Sequence, residues 1–237
     1  MNTNNFVWAD LSSYTPDKAK QFYENVFGWK FYSTDTYLIA YNGKKETAGL
    51  YKTPQKFQDM KMPSFWMSYI QVESITETIE KARKLGGIIE LVDTKNSISN
   101  IALIRDPLGA GFTIYDGNTL NSRTKNEENT LIFNELHVSD IQKAISFYKQ
   151  LFNWKFQKAD ENSFEIYNLK NEHIATINEI PNSIKSKYEY WVCIFGVKDL
   201  KQSQKIIEAN NGNLIFDEGN RLLCSDGSEA FFYIQKV

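Results

Sequence analysis

The feature that most limits how this chain can fold is that it states one pattern twice. Phe22-Tyr23, followed by Phe27-Gly28-Trp29-Lys30-Phe31, recurs as Phe147-Tyr148 with Phe152-Asn153-Trp154-Lys155-Phe156. At the same offset, Phe65-Trp66-Met67 and Val72 are echoed by Tyr190-Trp191-Val192 and Val197. Self-similarity at a fixed spacing marks tandem repeats of one structural unit. A chain of 237 residues then divides into two domains of ordinary size, expected at 1–117 and 131–237. Between them, 118–130 reads as a linker, because it is polar and nearly devoid of large apolar side chains. Each repeat is a control for the other: a residue type that a site requires should appear in the repeat that uses it.

Composition narrows the function classes. With 42% hydrophobic and 14% aromatic residues, each repeat can bury a core. A net charge of −2 and a pI near 5.8 leave no electrostatic footprint for nucleic acid or an anionic membrane. No apolar run approaches the roughly 20 residues that span a bilayer. The opening Met1-Asn2-Thr3-Asn4-Asn5 lacks the basic and apolar regions of a secretory signal, so a cytoplasmic protein is expected. Cys193 and Cys224 sit in strand-like runs, where buried free thiols are the ordinary reading.

Periodicity supplies the elements. In the first repeat a strand over 5–12 precedes a helix over 16–26, with Thr15 as N-cap, Pro16 at the first position and Gly28 as the stop. Ala19, Phe22, Tyr23 and Val26 form its apolar stripe. Three strands follow, near 30–33, 37–41 and 47–51. The order then repeats with a strand over 64–72, a helix from Ser74 to Leu85 closed by Gly86-Gly87, and strands near 88–92, 101–105 and 111–115. Asp106-Pro107-Leu108-Gly109 makes the last turn. The second repeat matches, with helices at 140–151 and 199–209 and a turn at Asp226-Gly227. Each repeat is thus two βαβββ modules, and the fold class is α+β.

The Phe-Tyr pair with its Phe-Gly-Trp, the Gly-Gly after the second helix and the Asp-Pro-x-Gly turn, in this order and duplicated, resemble the vicinal-oxygen-chelate superfamily. That superfamily includes glyoxalase I, bleomycin-resistance proteins, fosfomycin-resistance enzymes and extradiol dioxygenases. The resemblance implies two tandem glyoxalase/bleomycin-resistance-type domains, whose curved mixed sheets form cups with the helices outside. It also implies a divalent metal held in the cup by His, Glu or Gln at set strand positions. In this sequence those positions are Trp8, Met67 and Thr113 in the first repeat, and Phe133, Val192 and Phe231 in the second. None of the six is a normal metal donor, and the chain has two histidines in all, His137 and His173. No metal and no cofactor are therefore expected.

Side chains alternate across a strand. Trp8, Asp10 and Ser12 share one face, as do Phe133, Glu135 and His137, and the resemblance makes that the cup side. Met67, Tyr69, Gln71, Thr113 and Tyr115 join it in the first repeat; Val192, Ile194, Phe231 and Tyr233 join it in the second. A cavity lined this way suits a small, partly apolar or aromatic molecule. Glu135 beside His137 is the sharpest constellation, and Asp10 occupies the place of Glu135 in the first repeat. These three are the candidates for acid/base catalysis; the competing reading is polar groups satisfied within the sheet. Trp29 and Trp154 read as core anchors, Trp66 and Trp191 as packing under the helices, and His173 as a surface residue.

Four functions stay open on this evidence. One is a metal-independent small-molecule binder. Another is a metal-free lyase, isomerase or hydrolase using Glu135–His137 or Asp10. The others are a metal enzyme with displaced ligands and a scaffold with filled cups. Tandem fusion allows a monomer with internally paired modules, or a homodimer.

Overall fold

A computed structural model describes residues 4–34, 36–94, 100–121 and 123–237. Met1 to Thr3 of the opening segment and Ser122 of the expected linker lie outside these. The first repeat contains strands β1 (Phe6–Ser13), β2 (Lys30–Thr34), β3 (Tyr37–Asn42), β4 (Lys45–Lys52) and β5 (Phe65–Gln71). It continues with β6 (Ile88–Asp93), β7 (Ile101–Arg105) and β8 (Gly111–Tyr115). Its helices are α1 (Pro16–Phe27), the short α2 (Gln55–Asp59) and α3 (Ile75–Lys84). The second repeat contributes β9 (Leu131–Val138), β10 (Lys155–Asp160), β11 (Ser163–Tyr167), β12 (His173–Glu179) and β13 (Tyr190–Val197). It ends with β14 (Asn213–Asp217), β15 (Arg221–Ser225) and β16 (Phe231–Lys236). Its helices are α4 (Ile141–Phe152), the short α5 (Asn182–Lys185) and α6 (Leu200–Ala209).

Two eight-stranded mixed sheets result, ordered β2-β3-β4-β1-β5-β8-β7-β6 and β10-β11-β12-β9-β13-β16-β15-β14. The βαβββ reading is therefore realised four times. Within each module the first strand runs parallel to the last, as β1 does to β4 and β13 to β16, and the remaining pairs are antiparallel.

Helix ends follow their local chemistry. Gly28 closes α1 in the left-handed conformation (φ 68°), its N–H bonding Glu24 O, and Asn153 closes α4 in the same way (φ 56°). Ser74, Asp140 and Asp199 each accept a backbone N–H of the first turn of their helix. Thr15 differs from expectation. It stands at the N-cap of α1, but its hydroxyl caps nothing, and the helix start rests on Pro16, which has no N–H to satisfy, and on Asp17.

The chain divides into two compact units, and each takes one module from each repeat. The first is Met1–Val7, Ser68–Asn121 and Asn134–Trp191; the second is Trp8–Met67, Ser122–Phe133 and Val192–Val237. In the second unit α1 packs beside α6, and a core of Leu11, Phe22, Phe27, Phe195, Phe232 and their neighbours closes around Tyr23. Tyr23 stacks on Trp29 with centroids 5.7 Å apart and meets Trp66 edge-on at 5.3 Å. The first unit repeats this with α3 beside α4 and Tyr148 at the centre, stacked on Trp154 at 5.9 Å and edge-on to Trp191 at 5.4 Å.

All four of these tryptophans are buried. Both cysteines are buried and free, and His173 is exposed. Among the described residues of 118–130, Leu120 and Thr130 are buried, and Trp29 Nε1 donates to Asn129 O at 2.8 Å.

Candidate functional site

Alternation places every predicted site residue on the sheet face that the helices do not cover. Ala9 and Leu11 enter the helix-side core of the second unit, whereas Trp8, Asp10 and Ser12 do not. Likewise Leu136, Val138, Phe112 and Ile114 enter the core of the first unit, leaving Glu135, His137, Thr113 and Tyr115 on the opposite face. Cys193, Phe195, Phe232 and Ile234 do the same in the second unit, which turns Val192, Phe231 and Tyr233 outward from the helices. Met67 and Tyr69 flank this pattern beside the core residues Trp66 and Ile70.

In the first repeat's half of the second unit, Asp10 is the hub. It is 2% exposed, accepts from Trp8 Nε1 at 2.6 Å and from Tyr37 Oη at 2.5 Å. Gly49 lies directly across the ladder from Asp10, and the space a side chain would fill there holds the Asp10–Tyr37 contact. Burial, then the Asp10 charge, pushes the phenols of Tyr37 and Tyr51 upward. Ser12 Oγ donates to Thr53 Oγ1 at 3.1 Å.

The corresponding place in the first unit is built differently. Glu135 and His137, 1% and 0% exposed, bond through Oε1 and Nε2 at 2.8 Å. Thr176, the ladder partner of Glu135 and therefore the counterpart of Gly49, donates to Glu135 Oε2 at 2.7 Å. His137 Nδ1 meets Tyr190 Oη at 3.2 Å, and burial, followed by Glu135, raises that phenol. An ionised Glu135 requires the ring hydrogen on Nε2, so a neutral His137 accepts from Tyr190 at Nδ1. The same unit also holds Tyr69 across from Thr113, and Tyr115, whose Oη takes the Thr119 N–H at 2.8 Å.

The second repeat's half of the second unit has a different character. Phe133 and Phe231 are half-buried, with Val192 and Tyr233 closed behind them. The Arg123 guanidinium sits over the Phe133 ring at 5.0 Å, and its Nε donates to Ile132 O at 3.3 Å. Burial lowers this guanidinium to about 10. Arg221 lies over the Tyr233 ring at 4.3 Å, and Glu218 ties the two together by accepting from Arg221 Nε and Tyr233 Oη, both at 2.6 Å.

Sequence reasoning missed Tyr37, Thr176, Tyr190, Arg123, Arg221 and Glu218. Strand alternation could have found Tyr37 and Tyr190, which share the faces of Ile39 and Val192. Nothing local marks Arg123, which falls in the segment read as a linker.

The metal implied by the resemblance does not fit these residues. Trp8, Met67, Thr113, Phe133, Val192 and Phe231 offer no His, Cys or carboxylate donor. Among the described residues no three His, Cys, Asp or Glu side chains come together as a metal site.

Residues 6–114 match the family model described as the Glyoxalase/Bleomycin resistance protein/Dioxygenase superfamily. The first repeat is therefore similar to this superfamily. The chain is 23% identical over 246 aligned positions to proteins of Mycobacterium bovis and Mycobacterium tuberculosis named "Putative glyoxylase CFP32", covering 97% of this chain and 93% of theirs. Its fold matches that of homoprotocatechuate 2,3-dioxygenase from Brevibacterium fuscum. One variant of that enzyme superposes with a TM-score of 0.68 at 12% identity, over 99% of this chain and 71% of the dioxygenase. Its anaerobic complex with 3,4-dihydroxyphenylacetate gives the same TM-score over 98% and 80%. No helix among the described residues is long and apolar enough to cross a membrane.

Proposed function

We propose that this protein binds a small, partly apolar or aromatic molecule without a metal, on the helix-free face of its second repeat at Phe133, Val192, Phe231 and Tyr233. The observation that carries this reading is the contrast among the six donor positions. Trp8, Met67, Thr113 and Val192 are 0–6% exposed, whereas Phe133 and Phe231 are half-buried and present ring surface. A partly open aromatic wall gains apolar burial when a flat ligand covers it.

The acid/base reading has less support. Both Glu135 oxygens and both His137 ring nitrogens are engaged by protein groups in a closed cluster. A general base must present a free lone pair to its substrate. Glu135, His137 and Asp10 read instead as polar groups satisfied within the sheet.

The test is thermal unfolding of the untagged protein with a panel of small benzene derivatives, alongside metal analysis. Stabilisation that Phe133→Ala abolishes, unchanged by chelator or by added Zn²⁺, Fe²⁺ or Mn²⁺, is the expected result. Stoichiometric bound metal, or a melting temperature that falls with chelator, overturns it.

A further inference from the structure

The repeated turn that follows the second helix-and-hairpin of each repeat differs in two side chains. In the first unit it reads Pro107-Leu108 after Asp106. Pro107 lies 3.6 Å from where a Cβ of Gly86 would stand, and Leu108 packs against the core. In the second unit the same turn reads Gly227-Ser228 after Asp226. Two apolar side chains give way to a hydrogen and a hydroxymethyl group. A cavity of about 460 Å³ lies there, between the first turns of α1 and the end of α6. We infer that this cavity is a binding site for a small neutral polyhydroxylated molecule, a sugar.

The lining sets the chemistry. Ala19 and Phe22, both buried, give it an apolar floor. Gln21, Asn211, Ser228 and Lys18 line it as well, and no described residue bonds the polar atoms of these four side chains. The other polar groups are occupied. Asn210 accepts from Asn25 Nδ2 at 2.6 Å and donates to Ile206 O at 2.8 Å. Asp226 Oδ1 takes the N–H groups of Ser228 and Ala230 at 2.8 and 3.0 Å, and Oδ2 takes the Tyr23 hydroxyl. What remains on offer is two carboxamides and a hydroxyl, which each donate and accept, and one ammonium, which donates. Sugar hydroxyls also do both, and the C–H face of a pyranose suits an apolar floor. A ligand hydroxyl that reproduces the bonds of a displaced water loses little affinity. The volume falls in the range of roughly 300–1,000 Å³ usual for small-molecule sites. This site is on the helix side of the sheet, apart from the face of Phe133 and Phe231.

The experiment is nitrogen-15 NMR of the full-length protein titrated with glucose, galactose and N-acetylglucosamine, with cyclohexanol and inorganic phosphate as counter-probes. At least one sugar is expected to give saturable shifts at residues 18–22, 209–211 and 226–228. It should bind there about tenfold or more tighter than either counter-probe. Asn211→Gly with Gly227→Pro and Ser228→Leu transplants the first unit's Gly86, Pro107 and Leu108, and should abolish those shifts. Gln21→Ala, at an exposed position of α1, leaves the core intact and should weaken binding about threefold or more. No saturable shift at these residues with any of the three sugars overturns the inference. So does cyclohexanol or phosphate binding there as tightly as the best sugar, or Gln21→Ala binding as wild type does. None of these outcomes bears on the aromatic site, which Phe133→Ala tests separately.

Discussion

Tyr23 Oη donates a 3.2 Å hydrogen bond to Asp226 Oδ2, joining residues 203 apart in the chain. Tyr148 Oη makes the same bond to Asp106 Oδ2 at 3.0 Å. Each tyrosine also receives an indole N–H, from Trp66 at 3.0 Å and from Trp191 at 2.9 Å. The other oxygen of each aspartate caps its own turn, Asp106 Oδ1 taking the N–H groups of Leu108, Gly109 and Ala110. Thus the Phe-Tyr pair, the strand tryptophan and the Asp turn are parts of one buried clasp. In each unit the tyrosine comes from one repeat and the aspartate from the other, which is why all three motifs recur together.

Removing the clasp hydroxyl should cost measurable stability. Tyr148→Phe leaves the Trp191 N–H and Asp106 Oδ2 without their shared partner, an expected loss of about 1–3 kcal/mol in urea unfolding. The clasp also has a pH signature. Burial holds the Asp106 carboxyl above its ordinary value of 3.8, against the pull of backbone N–H groups and Tyr148. A carboxyl raised in the folded state contributes fully below its unfolded value, and that contribution is lost as pH rises through the folded one. The stability advantage of wild type over Asp106→Asn should therefore shrink as pH rises from about 4 through the acid range. Urea midpoints taken along that range decide it, and an advantage that grows with pH refutes the assignment.

The interleaving of repeats predicts the behaviour of fragments. A chain of residues 1–117 contains Tyr23 without Asp226 and Asp106 without Tyr148, and so half of each compact unit. It should not persist as a folded monomer. Light scattering on the purified fragment should find either an unfolded chain or a self-associated species that completes the clasps with a second molecule. A folded, cooperative monomer would contradict this account of the core.

Gly49 separates the two repeats at one point that a mutation can probe. A Cβ there would lie 1.8 Å from Tyr37 Oη and 2.1 Å from Asp10 Oδ1. Gly49→Ala is expected to destabilise by about 1–3 kcal/mol through overpacking. Tyr37→Phe removes the nearest of three clashing atoms and leaves the ring Cζ and Asp10 Oδ1, so the double variant should show a favourable coupling at the low end, roughly 0.5–1 kcal/mol. Additive losses would mean that the backbone moves and the Asp10–Tyr37 contact does not constrain it.

The helices, their Gly28 stop and the order of the strands were legible in sequence because each is a local signal of spacing or capping. The face of each site residue was legible as well, since Trp8, Asp10, Glu135 and His137 follow strict alternation. What each site residue bonds was not. Tyr37 reaches Asp10 only through a hairpin register, and one extra residue in each of the two second-repeat hairpins places Thr176, rather than Ile174, opposite Glu135. The clasp was invisible for a related reason: Tyr23 and Asp226 are distant in sequence and each has a sufficient local explanation, one as core and one as turn. Arg123 was hidden by its setting, because a polar segment gives no sign that one of its side chains returns to the sheet.

Glu135, His137, Thr176 and Tyr190 make the last prediction, since their order fixes both a protonation site and an energy. Glu135→Ala leaves the His137 Nε2–H and the Thr176 hydroxyl without their acceptor in a closed setting, an expected loss of about 1–3 kcal/mol for each orphaned donor. Tyr190→Phe removes one peripheral donor and should cost only about 0.5–1.5 kcal/mol. Nitrogen-15 NMR separates the roles, because the chain has only one other histidine, the exposed His173. A neutral His137 should carry its hydrogen on Nε2, with an Nδ1 resonance that shifts in Tyr190→Phe and hardly moves in Thr176→Val. A hydrogen on Nδ1 instead would mean that Glu135 is protonated and donates to the ring. The cluster would then be an acid held in reserve, and the acid/base reading would regain the ground it lacks.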